Sequence, residues 1–349
     1  MEKNFKIGNR TVSKNSKPLI IAEVGQSHLG SLKKCLRIID ELSLTGVDIV
    51  KFQTHIAKSE STYDEPFRKK ISNRYISRFD YWKDMEFTYD EWKKIKRYTE
   101  SKKLIFLSSP FSVDAFSLLH KLRVTTFKIG SGEFFSNDLL DEIIKKKKKI
   151  ILSTGLSTIN EIQNLTDILK RKKINFILLQ CTSKYPLSLK EVGINVLSYF
   201  KDKIKCFYGL SDHSGSIYPS IFALCLGSKI VEIHYSNKNN LLNPDHSSSI
   251  NFKNLKSLCK ARDEIFIMNK YKVNKSIIDK LLRKTKLIFT KSLVVKKNKS
   301  KNEIILRNDL TLKKPGTGIH FDKINIVIGK KLKKNVTPDK LLRYSDFIK

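Results

Sequence analysis

Long apolar runs, paired cysteines, glycine-rich nucleotide loops and acidic side chains are all scarce in this chain of 349 residues. The longest apolar run falls far short of a membrane span, and no charged-apolar-small leader opens the chain, so a soluble, cytoplasmic protein without a membrane partner is expected. The five cysteines, Cys35, Cys181, Cys206, Cys225 and Cys259, are odd in number, far apart and free of any CxxC pair. They read as buried free thiols in a reducing compartment. No GxGxxG opens a helix after the first strand, which argues against a dinucleotide fold. Acids are outnumbered, 34 Asp and Glu against 68 Lys and Arg, leaving a net charge of +34. The excess is mostly Lys, with Ile and Asn also abundant, a pattern that AT-rich codons produce. Its densest runs, Lys145–Lys149, Lys170–Lys173 and Lys330–Lys334, lack the interleaved aromatics of a stacking platform, which argues against nucleic acid as a partner. A positive field would still speed the encounter with an anionic substrate.

What is present is a core. Hydrophobic residues make up 40% of the chain, with two Trp and twenty Phe, which excludes disorder. Short β-branched runs alternate with helix-length stretches. Strands are predicted at Leu19–Glu23, Asp48–Gln53, Leu104–Ser109, Thr126–Gly130, Ile150–Thr154, Asn175–Cys181, Cys206–Ser211 and Lys229–His234. Amphipathic stretches such as Leu32–Thr45, Tyr89–Lys102, Val113–Lys121 and Thr158–Lys172 separate them. Eight strands alternating with helices predict an α/β fold, a (β/α)8 TIM barrel. Phe5–Asn15 reads as a hairpin around Gly8-Asn9 that plugs one barrel end. Beyond the eighth strand the pattern changes. Helices are predicted at Phe252–Met268 and Ser276–Lys286, then short strands at Ser292–Lys296, Ile304–Leu306 and Ile324–Ile328, with a turn at Pro315-Gly316-Thr317-Gly318. The expected domains are 1–284, a barrel with its N-terminal hairpin, and 285–349, a small β-rich domain.

A (β/α)8 barrel builds its active site at the carboxyl ends of its strands. Those ends carry Glu23, Lys51 and Gln53, Ser108 and Ser109, Lys128 with Ser131 and Glu133, Ser153 and Thr154, then Thr182, Ser183 and Tyr185, Ser211, Asp212 and His213, and Glu232 and His234. One such residue is readily a satisfied core side chain; polar groups at all eight ends are costly to bury without a ligand. Period two turns Lys51 and Gln53, Ser211 and His213, and Glu232 and His234 inward. His213 and His234, from neighbouring strands, can approach within ligand distance of one divalent ion. Two imidazoles completed by oxygens suit Mn²⁺ or Mg²⁺ better than a closed tetrahedral zinc. Lys51 and Lys128, expected on facing strands, form with the strand-end serines a cationic, hydroxyl-rich bowl for phosphate or carboxylate. A Schiff-base aldolase on either lysine is the rival enzyme reading.

The sequence resembles the N-acetylneuraminate (sialic acid) synthase family over nearly its whole length. The matching segments are IAEVGQSHLG (21–30), KFQTH (51–55), SSPFS (108–112), KIGSGE (128–133), LSTGLS (152–157), CTSKYP (181–186), GLSDHSG (209–215), EIHY (232–235), NPDHSSS (243–249) and KKPGTGI (313–319). The terminal domain resembles that family's antifreeze-like, or SAF, domain of β-clip type. The resemblance implies condensation of phosphoenolpyruvate with N-acetylmannosamine or a related N-acyl hexose. It implies a divalent metal (Mn²⁺ favoured, Mg²⁺ or Co²⁺ possible) on His213 and His234. Phosphoenolpyruvate would be held by Lys51, Ser109, Lys128, Ser131, Ser153, Ser183 and Ser211, and the sugar by Gln53, Glu133, Tyr185 and Asp245. Glu23 would stand beside the reacting carbons. It further implies a domain-swapped homodimer in which Lys314, where the family usually has Arg, reaches the partner's sugar site. Legionaminic or pseudaminic acid synthases are the sister alternatives.

Overall fold

The computed structural model describes residues 4–67, 75–236 and 243–348. The chain divides into two compact units, residues 1–271 and 272–349. In the first, β1 (Asn4–Ile7) and β2 (Arg10–Ser13) form an antiparallel hairpin. Parallel strands follow: β3 (Leu19–Glu23), β4 (Ile49–Thr54), β5 (Ile105–Pro110), β6 (Thr126–Ile129), β7 (Lys149–Ser153), β8 (Phe176–Cys181), β9 (Phe207–Asp212) and β10 (Ile230–Tyr235). They pair in the order β5-β4-β3-β10-β9-β8-β7-β6, and β5 lies beside β6, so the sheet curls into a nearly closed barrel. A two-residue β11 (Ser249–Ile250) adds to β10. Each predicted barrel strand is present within a residue or two of its expected bounds.

Several of the connecting helices start where the sequence supplies a side-chain cap. Ser31, Ser112 and Asn251 accept from backbone N–H groups of the first turn. Thr88 with Glu91 and Thr158 with Glu161 form complete capping boxes. Alternation along the strands then sorts the barrel into two cores. Outward residues such as Ile20, Val50, Phe106, Phe127 and Leu178 pack under the helices. Inward residues near the strand starts, among them Leu19, Ile21, Ile49, Ile105, Leu107 and Ile177, fill the barrel floor together with Phe5, Ile7 and Val12 of the hairpin. The hairpin therefore plugs the amino-terminal end, as expected. With the floor apolar, the polar set is confined to the upper layers.

One buried ion pair ties the last helix of this unit to the barrel. Arg262, on the helix Phe252–Lys270, is 2% exposed; it pairs with Asp48 and donates to the Gly46 carbonyl at 3.0 Å. Asp48 in turn accepts from the backbone of Ile20, at 3.0 Å.

In the second unit, β12 (Ser292–Val295) pairs antiparallel with β13 (Leu310–Lys313) over a core that includes Leu293, Val295, Ile305, Ile319, Val327 and Leu342. Two expectations are corrected here. Ile324–Val327 is a helical turn, burying Ile324 and Val327 three residues apart; a short apolar run does not distinguish the two periods. Ile304 makes only an isolated bridge to Lys331. The helix expected at Ser276–Lys286 runs from Lys280 to Phe289, and the expected boundary at 285 falls inside it, whereas the units divide after Tyr271.

Replacing Arg262 by Met leaves the Asp48 carboxylate buried without its partner. The expected loss is about 3–5 kcal/mol, read as a lowered urea midpoint; an unchanged midpoint would show that Asp48 finds compensation elsewhere.

Candidate functional site

At the carboxyl end the inward positions converge. Strand register sets His234 beside Glu23, Glu23 beside Lys51, Gln53 beside Ser109, and both Cys181 and Glu232 beside Ser211. All of these but Glu23 line a cavity of about 460 Å³. Every expected site residue of the first unit lines it except Glu23, which lies fully buried behind Lys51 and Gln53.

The centre of the site is a four-charge cluster. Lys51 Nζ lies 2.8 Å from Glu23 Oε2 and 3.4 Å from Glu232 Oε1. Lys128 Nζ lies 3.7 Å from the same Glu232 oxygen and donates to Ser153 Oγ at 2.6 Å. Ser211 Oγ donates to Glu232 Oε1 at 3.2 Å. Lys51 and Lys128 were expected on facing strands; they rise instead from β4 and β6, separated in the ring only by β5, and the shared carboxylate draws them together. Burial opposes the charge on Glu232, yet Lys128 and Lys51 overcome it and hold its pKa down to about 2. For Glu23, burial wins and, helped by the nearby Glu232, raises the pKa despite Lys51. Burial lowers that of Lys128. Two buried acceptors, Ser109 Oγ and Glu232 Oε2, have no hydrogen-bond partner among the described residues, so the wall is under-satisfied without a ligand.

The serines cluster on one side. Ser131 Oγ accepts from the Gly155 N–H at 2.9 Å. A methyl added at Gly155 would stand 2.5 Å from Ser183 Oγ, 2.8 Å from Ser131 Oγ and 2.9 Å from Cys181 Sγ; glycine there lets the three heads crowd together.

His213 and His234 stand with ring centroids 5.1 Å apart, and Tyr185 packs on both, at 4.1 and 5.9 Å. His213 turns Nδ1 toward the Thr182 carbonyl, 3.1 Å, and Cys181 Sγ, 3.8 Å. His234 turns Nδ1 toward Asp245 Oδ2, 3.6 Å. Each ring thereby directs Nε2 to a ligand, and burial holds the His234 pKa at about 3, so its imidazole is neutral as a metal ligand must be. For His213 burial acts downward, but Cys181 and the Thr182 carbonyl raise its pKa. Among the described residues no three His, Cys, Asp or Glu side chains form a ligating group. A divalent ion would therefore rest on two imidazoles and draw its remaining donors from water and substrate oxygens, and the residues fit that role.

A second lobe of the cavity is aromatic. His55 is sandwiched between Trp82 and Phe111, with centroids 4.0 and 4.5 Å away and planes within 16° and 18° of parallel. Its Nδ1 lies 2.7 Å from Glu60 Oε1 and its Nε2 3.2 Å from Gln53 Oε1. Gln26 bonds the same Gln53 oxygen, and Gln53 Nε2 donates to Glu23 Oε1 at 2.6 Å. Arg78 lies 5.1 Å over the Trp82 ring and pairs with Glu65 at 2.9 Å. Glu133 accepts from Ser136 Oγ at 2.6 Å, its carboxyl raised by burial. Lys314 belongs to the second unit, where its ammonium lies 5.3 Å over the Phe289 ring.

Sequence reading assigned no role to Glu232, Cys181, His55 or Trp82. The first two were within reach, since each lies two residues beyond an inward aliphatic, Ile230 and Leu179. Trp82 comes from a helix far from any strand end and left no such signal.

Residues 38–274 match the NeuB family and residues 290–348 the SAF domain. The N,N'-diacetyllegionaminic acid synthase of Campylobacter jejuni is 34% identical over 333 residues, 94% of this chain and 99% of that protein. The N-acetylneuraminate-9-phosphate synthase of Homo sapiens is 32% identical over 239 residues, 66% of this chain and 65% of that protein. Among solved structures, the N-acetylneuraminic acid (sialic acid) synthetase of Leptospira borgpetersenii, in complex with citrate, is 27% identical with a TM-score of 0.70, covering 81% of this chain and 94% of that one.

The charge cluster makes a prediction that needs no substrate. Glu232→Gln leaves two buried ammonium groups with one carboxylate, so the variant should lose about 3–5 kcal/mol of stability. Inorganic phosphate should then raise its melting temperature by more than it raises that of the parent. An equal or smaller rise would show that the cluster is not an anion receptor.

Proposed function

The chain belongs to the NeuB family, and we propose that it condenses phosphoenolpyruvate with the open-chain aldehyde of an N-acyl hexose and water, giving a nine-carbon 2-keto sugar acid and phosphate. The observation that carries this reading is the buried cluster of Lys51 and Lys128 on a single carboxylate oxygen of Glu232, ringed by serine hydroxyls. It is a receptor for one small dianion beside two convergent imidazoles. Lys51 and Lys128, with Ser109, Ser131, Ser153, Ser183 and Ser211, hold the carboxylate and phosphate of phosphoenolpyruvate and offset the charge that develops there. When bound to His213 and His234, a divalent metal such as Mn²⁺ supplies Lewis-acid polarisation of the aldehyde.

Carbon 3 of phosphoenolpyruvate attacks the aldehyde carbon, water adds at carbon 2, and the tetrahedral intermediate releases phosphate. Glu23 carries a proton more readily than an ordinary carboxyl because it is buried, and Gln53 fixes its orientation beside the reacting carbons. Gln53, Glu133, Tyr185 and Asp245 bind the sugar hydroxyls, and Lys314 of a domain-swapped partner subunit donates to the N-acyl oxygen. N-acetylmannosamine is the first acceptor to test. A 6-deoxy, di-N-acylated sugar is the second, favoured by the 34% identity to the Campylobacter jejuni legionaminic synthase and by the aromatic lobe, which suits an acyl methyl better than a hydroxyl.

The test is phosphate release from phosphoenolpyruvate with both sugars, followed by the mass of the product. Activity should require the N-acyl sugar and a divalent metal, and His213→Ala or His234→Ala should abolish it. Covalent trapping of a keto acid by borohydride on Lys51 or Lys128 would replace this reading with a Schiff-base aldolase. Trp82→Ala and Lys314→Ala should each raise the Michaelis constant for the sugar by roughly 10-fold, the scale of one lost contact of about 1.4 kcal/mol. The constant for phosphoenolpyruvate should stay within about twofold, a change of well under 1 kcal/mol.

A further inference from the structure

The lysine excess has a place in the fold. The barrel helices run opposite to the strands, so every helix-to-strand turn lies at the amino-terminal end, away from the site. Five of these turns put a basic residue in the left-handed region: Lys103 (φ 63°), Arg123 (62°), Lys147 (51°), Lys173 (57°) and Lys205 (57°). The two remaining turns use Gly46 and Gly227, the residue that this conformation favours. All five basic residues are exposed, and none has a carboxylate partner among the described residues. By contrast Lys145 and Lys170, in the last turns of their helices, pair with Glu142 and Asp167 at 3.0 and 3.5 Å. The turns and the hairpin share one surface: Lys147 Nζ donates to the Lys172 carbonyl at 3.1 Å, Lys149 Nζ to that of Lys6 at 3.1 Å, and Lys229 Nζ to that of Lys14 at 2.6 Å. At the opposite rim, the described strand-to-helix loops carry Lys58, Arg78, Lys184 and Lys190 among Glu60, Glu65, Glu133, Glu191 and Asp245; the basic run at 68–74 lies outside the described residues.

Codon bias does not produce this placement. The same bias supplies Asn, which tolerates the left-handed region better than Lys, yet among the described residues Asn takes that conformation only at Asn302, in the second unit. We propose that the amino-terminal face of the barrel docks on an anionic membrane surface through this ring of cations, leaving the catalytic mouth turned away from the lipid. The ring lies at one end of a cylinder, which matches a plane. It is built mainly of Lys, a compact point charge and not a planar fork reading individual phosphates, and no exposed aromatic stands in the five turns to stack bases. His120, in the last turn of the helix before β6, has its pKa lowered first by burial and then by the charges of Lys148 and Lys146. No described helix is long and apolar enough to cross a bilayer; attachment would be electrostatic and reversible.

The test is co-sedimentation of the full chain with vesicles of phosphatidylcholine alone or mixed with phosphatidylglycerol. Binding should require phosphatidylglycerol and disappear with added salt. Replacing Lys103, Arg123, Lys147, Lys173 and Lys205 together by Asn should lower the partition coefficient on the order of 1,000-fold, at about 1 kcal/mol for each cation lost from the surface. Asn suits the left-handed region, so the melting temperature should hold or rise. A control with Lys297, Lys301, Lys330, Lys331 and Lys340 of the second unit changed to Asn should lose no more than a few-fold. Equal losses in the two variants, binding to neutral vesicles, or tighter binding to duplex RNA than to anionic vesicles at the same salt would each overturn the proposal.

Discussion

Two buried ammonium groups and two buried carboxylates share the carboxyl end of the barrel, and the rest of the site is arranged around their mutual neutralisation. Glu232 Oε1 serves Lys51, Lys128 and Ser211 at once, while Glu23 holds Lys51 from the other side. The barrel floor, filled by Ile21, Leu107, Ile151 and Leu179 with the hairpin beneath, offers no alternative partner. None of the four can therefore be lost without leaving a buried charge exposed to its neighbours. The set still has spare capacity, because Glu232 Oε2 and Ser109 Oγ have no hydrogen-bond partner among the described residues. The strongly depressed pKa of Glu232 reflects how completely its charge depends on the two lysines.

The same economy explains the histidines. Each spends Nδ1 on a protein acceptor, Thr182 or Asp245, so the ring faces are fixed before any ligand arrives. Gln53 couples this region to the aromatic lobe: it touches Glu23 on one side and the His55–Glu60 pair on the other. A change of ring position between Trp82 and Phe111 would be felt, through Gln53, at the Glu23 carboxyl. The aromatic lobe and the charged lobe of the cavity are thus mechanically joined.

The barrel was legible because fully buried parallel strands are continuous apolar runs with period-two polar ends, and each end residue inherits its direction from the aliphatics before it. Lys51 and Gln53 follow Ile49; Ser153 follows Ile151. Cys181 obeys the same rule after Leu179 and was passed over because a cysteine in an apolar run reads as core. Interactions closed by tertiary approach left no local trace. Arg262 meets Asp48 across 214 positions, and the sandwich on His55 draws on a helix and a loop. In the small second unit the signals were weakest. Ile324–Val327 carries the apolar content of a strand in the length of one helical turn, and β13, with Lys313 exposed at its end, lacks a clean alternation.

The charge excess gains meaning only once the two ends of the barrel are distinguished. A parallel barrel sends all its helix carboxyl termini to one end, where the partial negative charge of each helix favours a cation by about 0.3–1 kcal/mol. Lysines in the last turn in ordinary helical conformation, such as Lys145 and Lys170, already collect that benefit. A basic residue one step further on, with φ between 51° and 63°, adds little to the dipole interaction, which fades beyond the last turn, and incurs the left-handed penalty of about 1 kcal/mol. Helix capping alone would have chosen Gly or Asn at those five positions, as it chose Gly46 and Gly227. Among the described residues the mouth sets its cations beside carboxylates; at the floor five turns accept left-handed backbone to place cations without a carboxylate partner among those residues. The two ends are built to opposite electrostatic rules, and only the second rule calls for a large anionic counterpart outside the chain.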